Sequence, residues 1–142
     1  MILAQRLAAF IDAARDVPFA YGRHDCCLFC ADWVREATGF DPAAEYRGRY
    51  RSKRGAYALL KRLAGGDVDA AWTRACGEPM PNPLFAVAGD VCMVETDLGL
   101  TLGICLGSDI AHVAPEGLAF LPITAAEKAW RLSTSVGADT LP

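Results

Sequence analysis

The chain has 142 residues, one domain's worth, and is long enough to bury a core without disulfide or metal staples. Hydrophobic residues make up 53% and charged residues 22%, which excludes a disordered chain, and a net charge of -3 provides no overall field for nucleic acid or a membrane surface. No apolar run reaches the roughly 18 residues a spanning helix needs.

In chain order, residues 3 to 15 place Leu3, Leu7, Phe10, Ile11 and Ala14 on one face at helical spacing, with Pro18 beyond the end. The opening MILAQRLAAFIDAARDV lacks a basic n-region and an uninterrupted apolar core. The expectation is cytoplasmic synthesis without a signal peptide, and therefore reduced cysteines. Phe19 to Gly22 reads as an extended entry into the next element. Asp25 is an N-cap for a helix from Cys26 to about Thr38 that ends at Gly39. On it Cys26, Cys30, Trp33, Val34 and Ala37 form the stripe of a helix packed on a core. Two further helices are expected over 54 to 64, stopped by Gly65-Gly66, and over 67 to 77.

The character changes at Pro79, because EPMPNPLFAVAGD carries three prolines and excludes regular structure throughout. Short apolar runs follow at Val91 to Glu95, Leu100 to Leu106, Ile110 to Ala114 and Leu118 to Ile123, divided by turn signals, as in an antiparallel meander. A last short helix is expected around Ala125 to Trp130. Helices followed by a meander give an α+β fold, one domain over residues 1–142.

The densest chemistry lies in HDCCLFC, where His24, Cys26, Cys27 and Cys30 fall within seven positions. Zinc would need a second ligand pair beside Cys27, Cys30 and His24, and Cys76, Cys92 and Cys105 are isolated. The expectation is therefore no metal and no cofactor, with Cys76, Cys92 and Cys105 serving as small hydrophobes. Cys26 differs by position. A thiol in the first turn of a helix meets orphan N–H groups and the positive end of the helix dipole, which favour thiolate and could hold an oxyanion. It still needs a base from elsewhere, and the chain has only two histidines, His24 and His112.

The order Tyr21-Gly22, Asp25-Cys26-x-x-Phe29, Gly89-Asp90-Val91 and Leu102-Gly103-Ile104-Cys105-Leu106-Gly107 resembles the NlpC-type cell-wall peptidases. These are papain-like cysteine peptidases that cleave peptidoglycan stem peptides. The resemblance covers residues 19 to 39 and 88 to 115. It implies a papain-like fold with N-terminal helices on a C-terminal antiparallel sheet, and Cys26 as nucleophile. Tyr21, Asp25 and His24 would support the site. The middle segment, Asp41 to Tyr50, resembles a compact branch of such proteins encoded among tail genes of phages, prophages and gene transfer agents. Tail or tail-tip proteins are then expected partners, and a phage-like particle a destination.

One departure bears on activity. Where the family keeps its catalytic histidine, before Leu102-Gly103-Ile104, this chain has Thr101, which cannot act as a base near neutral pH. Either His112 serves as the base or the site is silent. Cys27 and Leu28 also replace the family's Ser-Gly. The stretch Arg47 to Arg62 holds seven of the fourteen Lys and Arg residues, interleaved with Tyr50 and Tyr57 and preceded by Tyr46. Without a nucleic-acid signature it reads as a solvated, partner-facing surface with Arg47, Arg49 and Arg51 exposed, and no nucleic acid or membrane is expected.

Overall fold

Asp25 takes extended backbone angles, and its carboxylate accepts the N–H of Leu28, which starts helix α2, Cys26–Thr38. The helix ends at Gly39, whose φ of 85° is the left-handed cap that glycine adopts without strain. Phe29, Cys30, Ala31 and Trp33 are fully buried, so α2 runs through the core. Burying each of the two aromatic rings stabilises the fold by about 2 to 3 kcal/mol. The Trp33 indole N–H donates to the Gly89 carbonyl at 2.9 Å, which satisfies its polar edge inside the core.

The computed structural model describes residues 2–132. Met1 and residues 133–142 of the expected 1–142 domain lie outside it. Helix α1, Leu3–Ala14, turns Leu7, Ile11 and Ala14 inward. Helices α3, Lys53–Ala64, and α4, Val68–Cys76, are each started by a side-chain cap, Ser52 on Gly55 N–H and Asp67 on Ala70 N–H. No helix is long and apolar enough to cross a membrane among the described residues.

The second half is one antiparallel sheet of strands β1, Val91–Thr96, β2, Gly99–Cys105, β3, Asp109–Ala114, β4, Gly117–Pro122, and β5, Lys128–Trp130, in the order β4-β3-β2-β1-β5. The pleat divides its residues between two layers. Val91, Met93, Leu102, Ile104, Ala111 and Val113 pack with Leu28, Phe29 and Trp33. Cys92, Val94, Cys105 and Ile110 turn to the other face, under Met80, Ala86, Leu121 and Ile123. The expected α+β layering, with the Cys26 helix packed on the meander, is what the structure has.

Three expectations are corrected. The helix expected over Ala125 to Trp130 is a short 3-10 turn, Ile123–Ala125, followed by β5. Six residues are too few to hold a helix alone, and β1 offers a free edge with which Val91↔Trp130, Cys92↔Ala129 and Met93↔Lys128 pair. The entry at residues 19 to 22 is a turn, not an extended segment, closed by a bridge between Ala20 and His24. Gly22 sits in it with φ of 81°, and a Cβ there would lie 2.1 Å from the Tyr50 carbonyl oxygen. Arg47 is half-buried and ion-paired with Asp41 at 2.7 Å and Asp32 at 2.8 Å, whereas Arg49 and Arg51 are exposed as expected.

Candidate functional site

Two local interactions build the mouth of α2. The Asp25 carboxylate, almost fully buried, accepts Leu28 N–H on one oxygen and Gly22 N–H and the Tyr50 hydroxyl on the other, at 2.9, 2.9 and 2.5 Å. A buried carboxylate with three donors is satisfied, so Asp25 is a fixed strut and not a free base. It draws the turn before α2 and the loop before α3 together over the first turn of the helix.

Beneath that strut lies a pocket with about 780 Å³ of empty space, its open mouth included. Cys26 and Cys27 sit at its base. Phe19 and Tyr21 from the turn, Tyr46 and Tyr50 from the following loop, Tyr57 and Leu60 from α3 and Trp72 from α4 form its walls. The hairpin between β1 and β2 closes the remaining side with Leu98, Leu100 and Thr101. The lining is overwhelmingly apolar and aromatic, as in small-molecule and peptide side-chain sites.

The two thiols differ. Their sulfurs stand 4.0 Å apart. The Cys27 thiol hydrogen bond, opposed by burial and helped by the Leu102 backbone N–H, holds the Cys26 thiol below its ordinary value. Cys27 is pushed well above it by that same bond and by burial. Of the pair, Cys26 is the thiol held lower, by the Cys27 hydrogen bond first and by backbone N–H groups after it, at the positive end of α2. Cys30, one turn deeper and fully buried, is pushed up by desolvation. Desolvation also raises the Tyr21 and Tyr50 phenols, which stay neutral walls and donors.

His112, the base expected beside Cys26, is not among the residues that line the pocket. His112 lies between Ala111 and Val113, both of which pack toward α2, and strand alternation sends its ring to the opposite face with Ile110. It is buried there, and desolvation lowers its pKa. His24 stands edge-on to Phe29 with centroids 5.8 Å apart, and its Nε2 is buried without a partner among the described residues. Burial lowers its pKa too. Neither imidazole lines the pocket. Thr101, at the family's histidine position, spends its hydroxyl on Thr96 Oγ1 at 2.9 Å and the Gly99 carbonyl at 3.1 Å. His24, Cys27 and Cys30 do not form a metal centre, and no three His, Cys, Asp or Glu residues cluster as one among the described residues.

Of the site residues expected from sequence, Tyr21, Asp25 and Cys26 are brought together, and His24 and His112 stay outside. Tyr46, Tyr50 and Tyr57 were read with a basic surface, yet all three line the pocket. Tyr46 and Tyr50 are half-buried there, whereas Tyr57 lines the pocket while staying 46% exposed, and nothing in their sequence spacing marks them as pocket residues.

Fold and site define a class: an α+β domain that presents a paired thiol at a helix mouth to an aromatic pocket. The chain belongs to the family described as Domain of unknown function (DUF6950), which matches residues 2–132. No curated protein matches it.

Proposed function

We propose that this protein is a catalytically silent papain-like domain that serves as a component of a phage-type or gene-transfer-agent tail, its pocket at the α2 mouth kept for binding. The carrying observation is that Cys26 shares its pocket with no imidazole, because His112 is on the far side of the sheet and His24 is turned against Phe29. Peptide hydrolysis needs a group that protonates the departing amine and then activates water. Thr101 is tied into the hairpin, and Asp25 is saturated with donors, so neither takes that role. The tail assignment rests on the likeness of Asp41 to Tyr50 to tail-encoded proteins. An apolar pocket ringed by aromatic residues suits an anchoring side chain of a neighbouring tail protein.

The hydrolase reading, with Cys26 as nucleophile acting on peptidoglycan stem peptides, has one observation in its favour: the Cys26 thiol is held below its ordinary value. The two readings separate in one experiment. Purified protein is incubated with sacculi and with synthetic stem peptides, and the products are read by mass spectrometry. No cleavage is expected. Cleavage that disappears in Cys26→Ala would install the hydrolase instead. Independently, a tagged copy expressed from its own locus should sediment with tail fractions, and its recovery only as free protein would remove the tail role.

A further inference from the structure

The pocket that lacks a proton-transfer partner is still suited to one covalent reaction. Breaking an amide requires protonating a poor leaving group, whereas a thioester expels a thiolate whose conjugate acid has a pKa near about 8.5 and needs no acid. A nucleophile already favoured as thiolate, in a site without imidazole, is matched to the second substrate and not the first. The walls add the rest. Phe19, Pro42, Leu60, Val68 and Leu100 line an apolar space large enough for a chain of several carbons beside the two thiols.

We propose that Cys26 is an acyl-acceptor site that takes an aliphatic acyl group from an acyl thioester, such as an acyl-coenzyme A, and keeps it in the aromatic pocket. The inference rests on the reading of the site as silent toward amides. In the step, the Cys26 Sγ lone pair attacks the thioester carbonyl carbon and a new C–S bond forms. The bond from that carbon to the donor sulfur then breaks, and the electron pair leaves on the donor thiolate, which takes a proton from water. The proton of Cys26 has already gone to solvent, so no oxidant or reductant enters. The Cys27 thiol, 4.0 Å from Cys26 Sγ, stands beside the reacting atoms as a donor. The product persists because thioester hydrolysis needs an activated water, and the acyl chain fills the space such a water would occupy.

The test incubates the full chain with octanoyl-coenzyme A or acetyl-coenzyme A at neutral pH, and follows intact mass, peptide mapping and hydroxylamine lability. Expected is one octanoyl group on Cys26, removed by hydroxylamine, formed faster than the acetyl adduct and retained after the donor is withdrawn. Cys26→Ser, folded by circular dichroism, should lose it. Leu100→Trp, which narrows the pocket at a partly exposed position, should slow octanoyl transfer more than acetyl transfer. No adduct, an adduct confined to the exposed Cys76, or equal rates for the two donors would overturn the proposal. If the stem peptides also stay intact, the silent reading survives that result. Release of free octanoate with turnover would instead overturn both, since it shows a site that activates water.

Discussion

The Tyr50 hydroxyl donates to Asp25 Oδ2 at 2.5 Å across 25 residues of chain, and this one bond ties the loop before α3 to the N-cap of α2. The same oxygen accepts Gly22 N–H, while Oδ1 accepts Leu28 N–H. Asp25→Ala removes the cap and strands two backbone N–H groups and a phenol, at a cost of about 3 kcal/mol. Tyr50→Phe leaves the two N–H bonds in place and costs about 1 kcal/mol. Urea unfolding of the two variants measures both, and equal losses would show that Tyr50 and not the cap carries the strut.

The floor of that loop is held by closeness as much as by bonding. At Gly22 the φ of 81° and the Tyr50 carbonyl, 2.1 Å from where a Cβ would sit, exclude any side chain. Gly22→Ala must push the Tyr50 backbone outward. We expect a stability loss larger than for Tyr50→Phe, together with faster labelling of Cys26 by bulky thiol reagents as the pocket opens. A variant with wild-type stability would mean that the turn moves without cost.

The three arginines at the start of the basic stretch separate cleanly. Arg47 bonds Asp41 with two of its nitrogens, at 2.7 and 3.1 Å, and reaches Asp32 at 2.8 Å, which fixes the loop after α2. Desolvation raises the Asp41 carboxyl, but the Arg47 hydrogen bonds, helped by the Ala43 N–H, outweigh it and keep the group below its ordinary range. Arg47→Ala should cost about 1 to 2 kcal/mol, because it strips a half-buried bidentate pair. Arg49→Ala and Arg51→Ala, at exposed positions, should each change thermal stability by less than about 0.5 kcal/mol. Equal effects from all three would return Arg47 to the surface.

Much of this architecture was legible in the residues. Asp25 announces its helix by cap chemistry, Gly65-Gly66 announces the end of α3, and the short apolar runs from Val91 onward, divided by turn signals, announce the meander. Local pattern could not place β5, because Lys128–Trp130 becomes a strand only where β1 offers its edge. Nor could it say which face His112 takes. One step in register turns a strand residue from one side of a sheet to the other, and what fixes the step, the packing of Ala111 and Val113 against α2, involves a helix distant in sequence. The tyrosines of the basic stretch failed for the same reason. Their spacing was visible, but what they face depends on α3 and α4 folding across the mouth of α2.

Both histidines are held neutral by burial, His24 against Phe29 and His112 in the sheet, so each binds a proton less readily when folded than its ordinary value of 6.5 allows. The unfolded chain therefore takes up protons first as pH falls, and stability declines from about pH 6.5 downward toward the depressed folded values. Above that window the two rings contribute no slope. Unfolding free energy measured between pH 5 and 8 should be flat at the top and fall at the acid end, and His24→Gln with His112→Gln should flatten the fall. An unchanged acid slope in the double variant would assign it to carboxylates, Asp41 first.

The reactivity of the thiols gives the sharpest reading of the pocket. Cys26 is half-buried and opens to the pocket, Cys30 is fully buried one turn deeper, and Cys76 is exposed at the end of α4. Alkylation by iodoacetamide follows thiolate fraction multiplied by access. Cys30 should therefore stay unlabelled in the native state. Cys26, held below the ordinary thiol value by the Cys27 hydrogen bond first, against the opposing desolvation, with the Leu102 N–H helping, should begin to slow at a lower pH than a free thiol does. Cys27→Ala removes the leading donor, so the pH profile of Cys26 should move to higher pH while that of Cys76 stays where it was. Peptide mapping after timed labelling resolves the three sites. A Cys26 profile identical in the wild type and Cys27→Ala would leave the helix N-terminus and the Leu102 backbone as the sole sources of thiolate character, and the vicinal pair would lose its part in the site.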